Sequence, residues 1–426
     1  MNNRRHIVLH QKPTMKKRPV PPLWLPLLLF LSTLSLWRTS FEVCVEKEVV
    51  SPDEAISSAT GHVFRGNRTR TFTGARKFQN WTPSGDRLAP MEPSCTHWVV
   101  VTTIYEPSEA VRRAAHWEDW CTVVIADVTT PVDYHIANAS HMVFLPVSEQ
   151  STALTIPTRH FSRKNLGYLY AIQRGAEVIL DLDDDNVLHE APTVPEGDWK
   201  SLRSEDGVIN HHPRLGLKDS WPRGYPLELL QHASPLLEES VAEPGTIGVY
   251  QMCANQNPDV DAIHRFVRPL PIDFEDSTTP FVVRDSFVPT NAQATLHTAL
   301  WATLLPKTVP GRVSDIWRGY FAQALFPYVG TSVAIVPPGN VVQDRNEHNI
   351  LGDLQAEWQL YHQVGTLIKY LRAPRVVRSI PQGMEDLWID LYEREYIELD
   401  DVWLVQEWIQ ALDAMGYEFP EVVGLM

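Results

Sequence analysis

Four aspartates, Asp181, Asp183, Asp184 and Asp185, close the run Gly175-Ala176-Glu177-Val178-Ile179-Leu180-Asp181-Leu182-Asp183-Asp184-Asp185-Asn186. A small-residue turn and an apolar run read as a buried parallel strand, and its carboxyl end releases acids into the crevice where open α/β sheets bind ligands. Carboxylates converging there repel one another unless a cation lies between them. A hard divalent ion carrying a phosphate-bearing substrate fits that demand. Asp183 and Asp185 alternate as D-x-D and can aim at one ion, with Asp184 beside them and Asp181 deeper on the same side. The plain alternatives are an acidic loop or a structural calcium site; the EF-hand spacing, with its later Gly and Glu, is absent.

Other residues could complete such a site. Arg163, Lys164 and Asn165 open the preceding helix, and cations beside a helix N-terminus suit a diphosphate; a solvated cap is the bland reading. Asp127, at another strand end, can accept hydrogen bonds from a ribose or base. Asp315 is the candidate general base, in a later segment opposite the expected diphosphate, although an acid at a helix start also serves the dipole. Trp221, Tyr225 and Trp317 could stack on sugar faces, and Arg223 and Arg318 in the same stretches are counted with the nucleotide-sugar-binding set. Asp259-Val260-Asp261 is a second D-x-D and a rival metal site, ranked lower because no long buried strand precedes it. His348 could complete a metal shell, and His211-His212 reads as a loop pair.

The elements that must position these residues follow a nucleotide-binding pattern. His97–Ile104, Thr122–Asp127, His141–Leu145 and Val178–Asp181 read as strands, with a helix from Ser108 to Trp117 and another from an Ser162 N-cap to Gly175. Strand, helix, strand, strand, helix, strand is the first half of an α/β nucleotide-binding domain. Beyond it, Thr246–Met252, Phe281–Val283 and Ser332–Val336 are expected strands. Asp315–Tyr320 is expected to lead into an apolar helix near Phe321–Phe326. Gln343–His348 is a charged loop, and helical segments near 351–372, 383–394 and 401–415 form an acidic C-terminal appendage whose acids mostly read as solvated faces.

Composition bounds the rest. The chain has 426 residues and 33 prolines, and its net charge of −15 argues against a general nucleic-acid binder. Residues 1–18 are basic with no acid, and 19–37 are free of charge. That is the layout of a transmembrane signal anchor with positive charge kept in the cytosol, short enough for a Golgi-type bilayer; a cleaved signal is the rival. Asn67, Asn80 and Asn138 head glycosylation sequons on the lumenal side, and four cysteines permit up to two disulfides there. The expected organisation is a cytosolic tail 1–18, an anchor 19–37, a Pro- and Ser-rich lumenal stem 38–95, a catalytic domain 96–350 and a helical appendage 351–426.

Asn165–Ile172 with Gly175-Ala176 and the aspartate cluster, Trp221–Leu227, and Asp315–Tyr320 resemble the STELLO-type glycosyltransferase family over roughly residues 95–420. Arg223–Pro226 followed by Pro258–Ala262 is more distantly similar to the reversibly glycosylated polypeptides, which act on UDP-sugars. The resemblance implies a GT-A fold, a manganese-dependent (or magnesium-dependent) D-x-D carried by Asp183 and Asp185, and a single-pass type II Golgi protein. It implies a UDP-sugar donor, a glycan acceptor and possible association as a homodimer or with other glycan-synthesising proteins. The expected function is therefore a Golgi-anchored glycosyltransferase. A non-catalytic Golgi scaffold of glycan synthesis and a sugar-nucleotide mutase are the alternatives.

Overall fold

Four parallel strands carry the first half of the sheet: β1 (His97–Thr103), β2 (Cys121–Ala126), β3 (Met142–Leu145) and β4 (Val178–Leu182), in the spatial order β3-β2-β1-β4. The runs of Val, Ile and Leu in β1, β2 and β4 are buried on both faces, as parallel strands covered on two sides must be, while β3 at the sheet edge is half-buried. The protein is represented by a computed structural model that describes residues 68–85, 88–193, 199–241, 244–275, 279–337, 339, 341–343 and 349–423. The expected tail 1–18, anchor 19–37, most of the stem with Cys44 and the Asn67 sequon, and His348 lie outside the described residues. Among the described residues no helix is long and apolar enough to cross a membrane.

The sheet continues past β4 through strands of mixed direction, giving ten strands in the order β3-β2-β1-β4-β10-β8-β11-β9-β6-β7. The added strands are β6 (Trp199–Arg203), β7 (Leu237–Val241), β8 (Thr246–Met252), β9 (Phe281–Val283), β10 (Ala294–His297) and β11 (Thr331–Val336). β10 is absent from the sequence reading. It lies antiparallel between β4 and β8, so the polar stretch Thr290–Gln293 runs up beside the aspartate cluster. A two-stranded sheet pairs β5 (Asn186–Leu188), directly after the aspartates, with β12 (Val341–Gln343), and sets Gln343 opposite Asn186.

Helix α1 (Glu109–Ala114) is shorter than expected, with Ser108 capping it through the backbone N–H of Val111. The next helix does not start at an Ser162 cap. His160 accepts from the Ser162 N–H, a single 3-10 turn follows, and α2 runs Lys164–Gln173. Gly167 is what lets α2 lie against the sheet: a Cβ there would stand 2.5 Å from Val100 Cγ1. After α3 (Ala262–Val267), α4 (Gly311–Gln323) contains Asp315–Tyr320, so Asp315 lies inside the helix and not ahead of it. Cys95 and Cys121 form a disulfide at the start of β2, and Cys253 is a buried thiol that burial pushes up to about 12.

The C-terminal helices are α5 (Ile350–Ala356), α6 (Trp358–Leu371), α7 (Ile380–Glu393) and α8 (Leu399–Ala414). Several of their acids are sealed. Glu357, Glu385 and Asp401 are fully buried. Glu357 accepts from the Ala262 N–H and from Arg312, and Asp401 accepts from the backbone of Lys307 and Thr308. Glu385 accepts from the N–H groups of Lys77 and Phe78, and Glu393 from that of Phe72. Residues 68–85, expected to be the end of a spacer, are therefore clasped to α7. Hydrogen bonds to charged groups contribute about 1.5–3 kcal/mol each, enough to make this tie structural.

Candidate functional site

The carboxyl ends of β1, β2 and β4 open on a crevice of about 1040 Å³. Thr103, Asp127 and the aspartates Asp183, Asp184 and Asp185 come from those strand ends; Arg159 comes from the loop before α2, and Arg312 and Asp315 from α4. This is the edge where a sheet of this order binds ligands. The volume suits a ligand of nucleotide size.

Beneath the crevice lies a buried charge chain. Lys164, fully buried, donates from Nζ to Asp181 Oδ1 at 2.7 Å, to Asp183 Oδ1 at 2.6 Å and to the Ala292 carbonyl at 3.2 Å. Arg318 donates to Asp181 Oδ2 at 2.6 Å. Burial pushes Asp181 up, but Lys164 and Arg318 outweigh it and hold this carboxyl well below the usual range. Asp183 behaves differently. Burial and the neighbouring Asp185 charge prevail over Lys164 and push it up to about 7, while 29% of its side chain stays open to the crevice.

Asp185 faces two side-chain amides. It accepts from Asn186 Nδ2 at 2.8 Å and from Gln343 Nε2 at 3.3 Å. The other amide atoms of those two residues, Asn186 Oδ1 and Gln343 Oε1, are buried and among the described residues have no hydrogen-bond partner. Asp184 accepts from the Thr103 hydroxyl. Asp127 accepts from the Val128 N–H at 2.7 Å and the Arg159 N–H at 2.5 Å, which fixes its carboxylate at the crevice wall.

Several residues expected at the site are used elsewhere. Arg163 is turned away, donating to the carbonyls of Ala126 and Pro157 and to Gln150. Asn165 ties to both backbone groups of Leu305. Lys164 lies under the aspartates and does not reach into the crevice. Trp317 is fully buried with its Nε1 on the Tyr396 carbonyl, and Trp221 gives its Nε1 to Asp261 at 2.7 Å. Tyr225 is buried, and burial pushes it up to about 12. Arg318 belongs to the buried chain. None of these aromatics presents a face to a sugar in the crevice.

Asp315 reaches the crevice floor, but Arg223 engages it at 3.0 and 2.8 Å, one contact to each oxygen, and the Ala292 N–H adds a third bond. A carboxylate held on both oxygens is an anchor for Arg223. Arg223 grips Asp259 in the same way, at 2.8 Å twice. Asp261 caps α3 through the His264 N–H. The second D-x-D is thus structural, and His211 and His212 are buried beside it. Among the described residues no group of three metal-ligating side chains occurs.

The sequence reading passed over Arg159, Arg312, Asn186 and Gln343. Asn186 directly follows the aspartates and Arg159 lies four residues before Arg163, which was the available signal. Arg312 follows Pro310-Gly311 at a helix start. Gln343 had none, because only the β5–β12 pairing brings it to Asp185.

Residues 312–426 match the model of the family described as STELLO glycosyltransferases. The chain is 28% identical over 398 residues to "Probable glycosyltransferase STELLO2" of Arabidopsis thaliana, covering 85% of this chain and 51% of that protein. It is 29% identical over 359 residues to "Probable glycosyltransferase STELLO1" of the same plant, covering 77% of this chain and 46% of that protein. The chain is thus similar to these proteins over most of its own length, while spanning about half of theirs.

Proposed function

We propose that the chain is a metal-dependent glycosyltransferase of GT-A architecture. It moves a sugar from a nucleotide-sugar donor, a UDP-sugar first among candidates, to a glycan acceptor. The observation that carries this reading is the emergence of Asp183 and Asp185 from the end of β4 into a crevice of nucleotide size. The homologues named glycosyltransferases point the same way.

The residues present fit a hard divalent ion. The donor set is all oxygen: the carboxylates of Asp183 and Asp185 and the partnerless amide oxygens of Asn186 and Gln343. With so few protein ligands the ion would be shared with substrate phosphates, as manganese or magnesium commonly is. Bound, it would neutralise the diphosphate leaving group. Lys164 occupies one oxygen of Asp183 and leaves the other to the crevice. Asp127, with lone pairs left over from its two backbone bonds, would accept from ribose hydroxyls at the end of β2.

We also place the chain at a Golgi membrane, held through residues 19–37 with residues 38–426 in the lumen. The basic flank and uncharged run support this, as do the Cys95–Cys121 disulfide and the exposed sequon asparagines Asn80 and Asn138.

The test is nucleoside diphosphate release by the full chain from a panel of nucleotide sugars, with manganese and with chelator. At least one donor should turn over, chelator should stop it, and Asp183→Asn or Asp185→Asn should lower the rate at least about 100-fold. Undiminished turnover in both variants would contradict the site. Rescue of loss-of-function cells by the double variant would favour the scaffold.

A further inference from the structure

We propose that Arg159 is a phosphate-binding residue of the crevice, the side chain that receives the diphosphate of a nucleoside diphosphate or nucleotide sugar. The inference rests on the nucleotide-sugar reading of the site and adds to it a residue outside the aspartate motif.

The crevice wall carries Asp127, Asp183, Asp184 and Asp185, so a diphosphate entering it needs cationic contacts from the protein as well as any ion it brings. Among the described residues the other cations nearby are committed. Lys164 spends its three donors on Asp181, Asp183 and Ala292. Arg163 faces backbone carbonyls and Gln150, Arg318 is paired with Asp181, and Arg223 is clamped between Asp259 and Asp315. Arg312 is taken up by Glu357. Arg159 lines the same crevice, is exposed, and among the described residues its guanidinium makes no hydrogen bond or ion pair.

The backbone supplies the second observation. Arg159 has φ of 56°, the left-handed region that a branched or long side chain seldom adopts. Such a conformation persists only where its surroundings hold it, and it collects at ligand sites. Here both sides are held. The Arg159 N–H donates to Asp127 Oδ2, and the ring of His160 is fixed by Ser162 on one nitrogen and by the Val309 carbonyl on the other. Glycine or asparagine would fill this position more comfortably. An arginine kept there, unpaired and lining the crevice, is suited to an anionic ligand, since a guanidinium matches phosphate oxygens with a fork of donors.

The experiment separates a ligand contact from a structural role. Binding of UDP, GDP, CDP and ADP, each with its monophosphate, is measured calorimetrically with manganese present for the full chain and for Arg159→Asn, Arg159→Gly and Arg159→Lys. Thermal midpoints are recorded without nucleotide. For whichever diphosphate the wild type binds, Arg159→Asn and Arg159→Gly should weaken it about 10- to 100-fold. The monophosphate should weaken far less, and Arg159→Lys should recover part of the loss. Arg159→Gly should melt no lower than the wild type, because glycine relieves the left-handed turn. A wild type that binds diphosphates beside an Arg159→Asn variant of equal affinity overturns the inference and leaves the nucleotide-sugar reading intact. Lower melting that parallels the affinity loss in Arg159→Gly also overturns it, by showing a structural role. A wild type that binds none of the four diphosphates overturns both.

Discussion

Two D-x-D motifs occur in this chain, and the fold uses them in opposite ways. Asp183 and Asp185 leave the end of a buried strand and enter open crevice, with amide oxygens nearby that have no partner. Asp259 and Asp261 are sealed: Asp259 accepts both arms of Arg223, and Asp261 caps a helix and takes the Trp221 indole N–H. Electrostatics follow the setting. Burial pushes Asp259 up, but Arg223 and Arg312 outweigh it and hold it below its ordinary value, whereas Asp183 is pushed up to about 7 because burial and Asp185 outweigh one lysine. A motif whose charges are already answered by protein cations has no need of an ion. One that faces a crevice of nucleotide size has room for one.

The sharpest way to break this contrast is to remove the cation under each motif. Lys164→Met strands Asp183 and leaves Asp181 with Arg318 alone, and should cost about 3–5 kcal/mol in urea unfolding, as breaking a buried pair does. Arg223→Met should cost a similar amount, about 3–5 kcal/mol, by stranding Asp259 and Asp315. A loss near zero at either position would mean that the networks are not what holds these loops.

Substituting the acids should then separate the motifs. Asp259→Ala should destabilise the protein by about 3 kcal/mol, since Arg223 loses one of its two carboxylates in a sealed site. Asp185→Asn should change stability by no more than about 0.5 kcal/mol, the usual range for partly exposed positions. Equal losses at the two sites would erase the distinction.

A smaller effect concerns acid. Burial holds His211 down at about 3 and His264 at about 4, both beside the sealed motif. Each stays neutral in the fold but takes a proton near pH 6.5 when unfolded, so the unfolded state binds more protons between those values. Their contribution to stability is complete above pH 6.5 and is lost as pH falls towards 4, at roughly 1.4 kcal/mol per pH unit for each histidine. His264→Gln should flatten this limb of the urea midpoint against pH; an unchanged slope would show His264 is not buried neutral.

Much of the first half-sheet was legible because parallel strands covered on both faces leave unbroken apolar runs: β1, β2 and β4 end within one residue of expectation, and β8 matches Thr246–Met252 at both ends. The aspartate cluster was legible for the same reason, since the end of such a run marks a sheet edge. What failed were statements about solvent. Arg163 and Lys164 look like cations at a helix start, and nothing local shows that Asp181 and Asp183 lie across from them to absorb Lys164. Glu357, Glu385 and Asp401 look like solvated helix acids, while their partners are 308 residues away for Glu385 and Phe78's neighbour Lys77. Long-range partners leave no periodic trace. The second D-x-D was ranked below the first for want of a preceding strand, and its burial supplies the physical reason.

The most direct measurement is a manganese titration followed by electron paramagnetic resonance, with a bound nucleoside diphosphate, on the wild type, Asp185→Asn and Asp261→Asn. Asparagine keeps the helix-capping role at 261, so all three proteins should fold. Asp185→Asn should weaken manganese binding at least about 10-fold, and Asp261→Asn should leave it unchanged. Normal binding by Asp185→Asn with loss in Asp261→Asn would contradict the account.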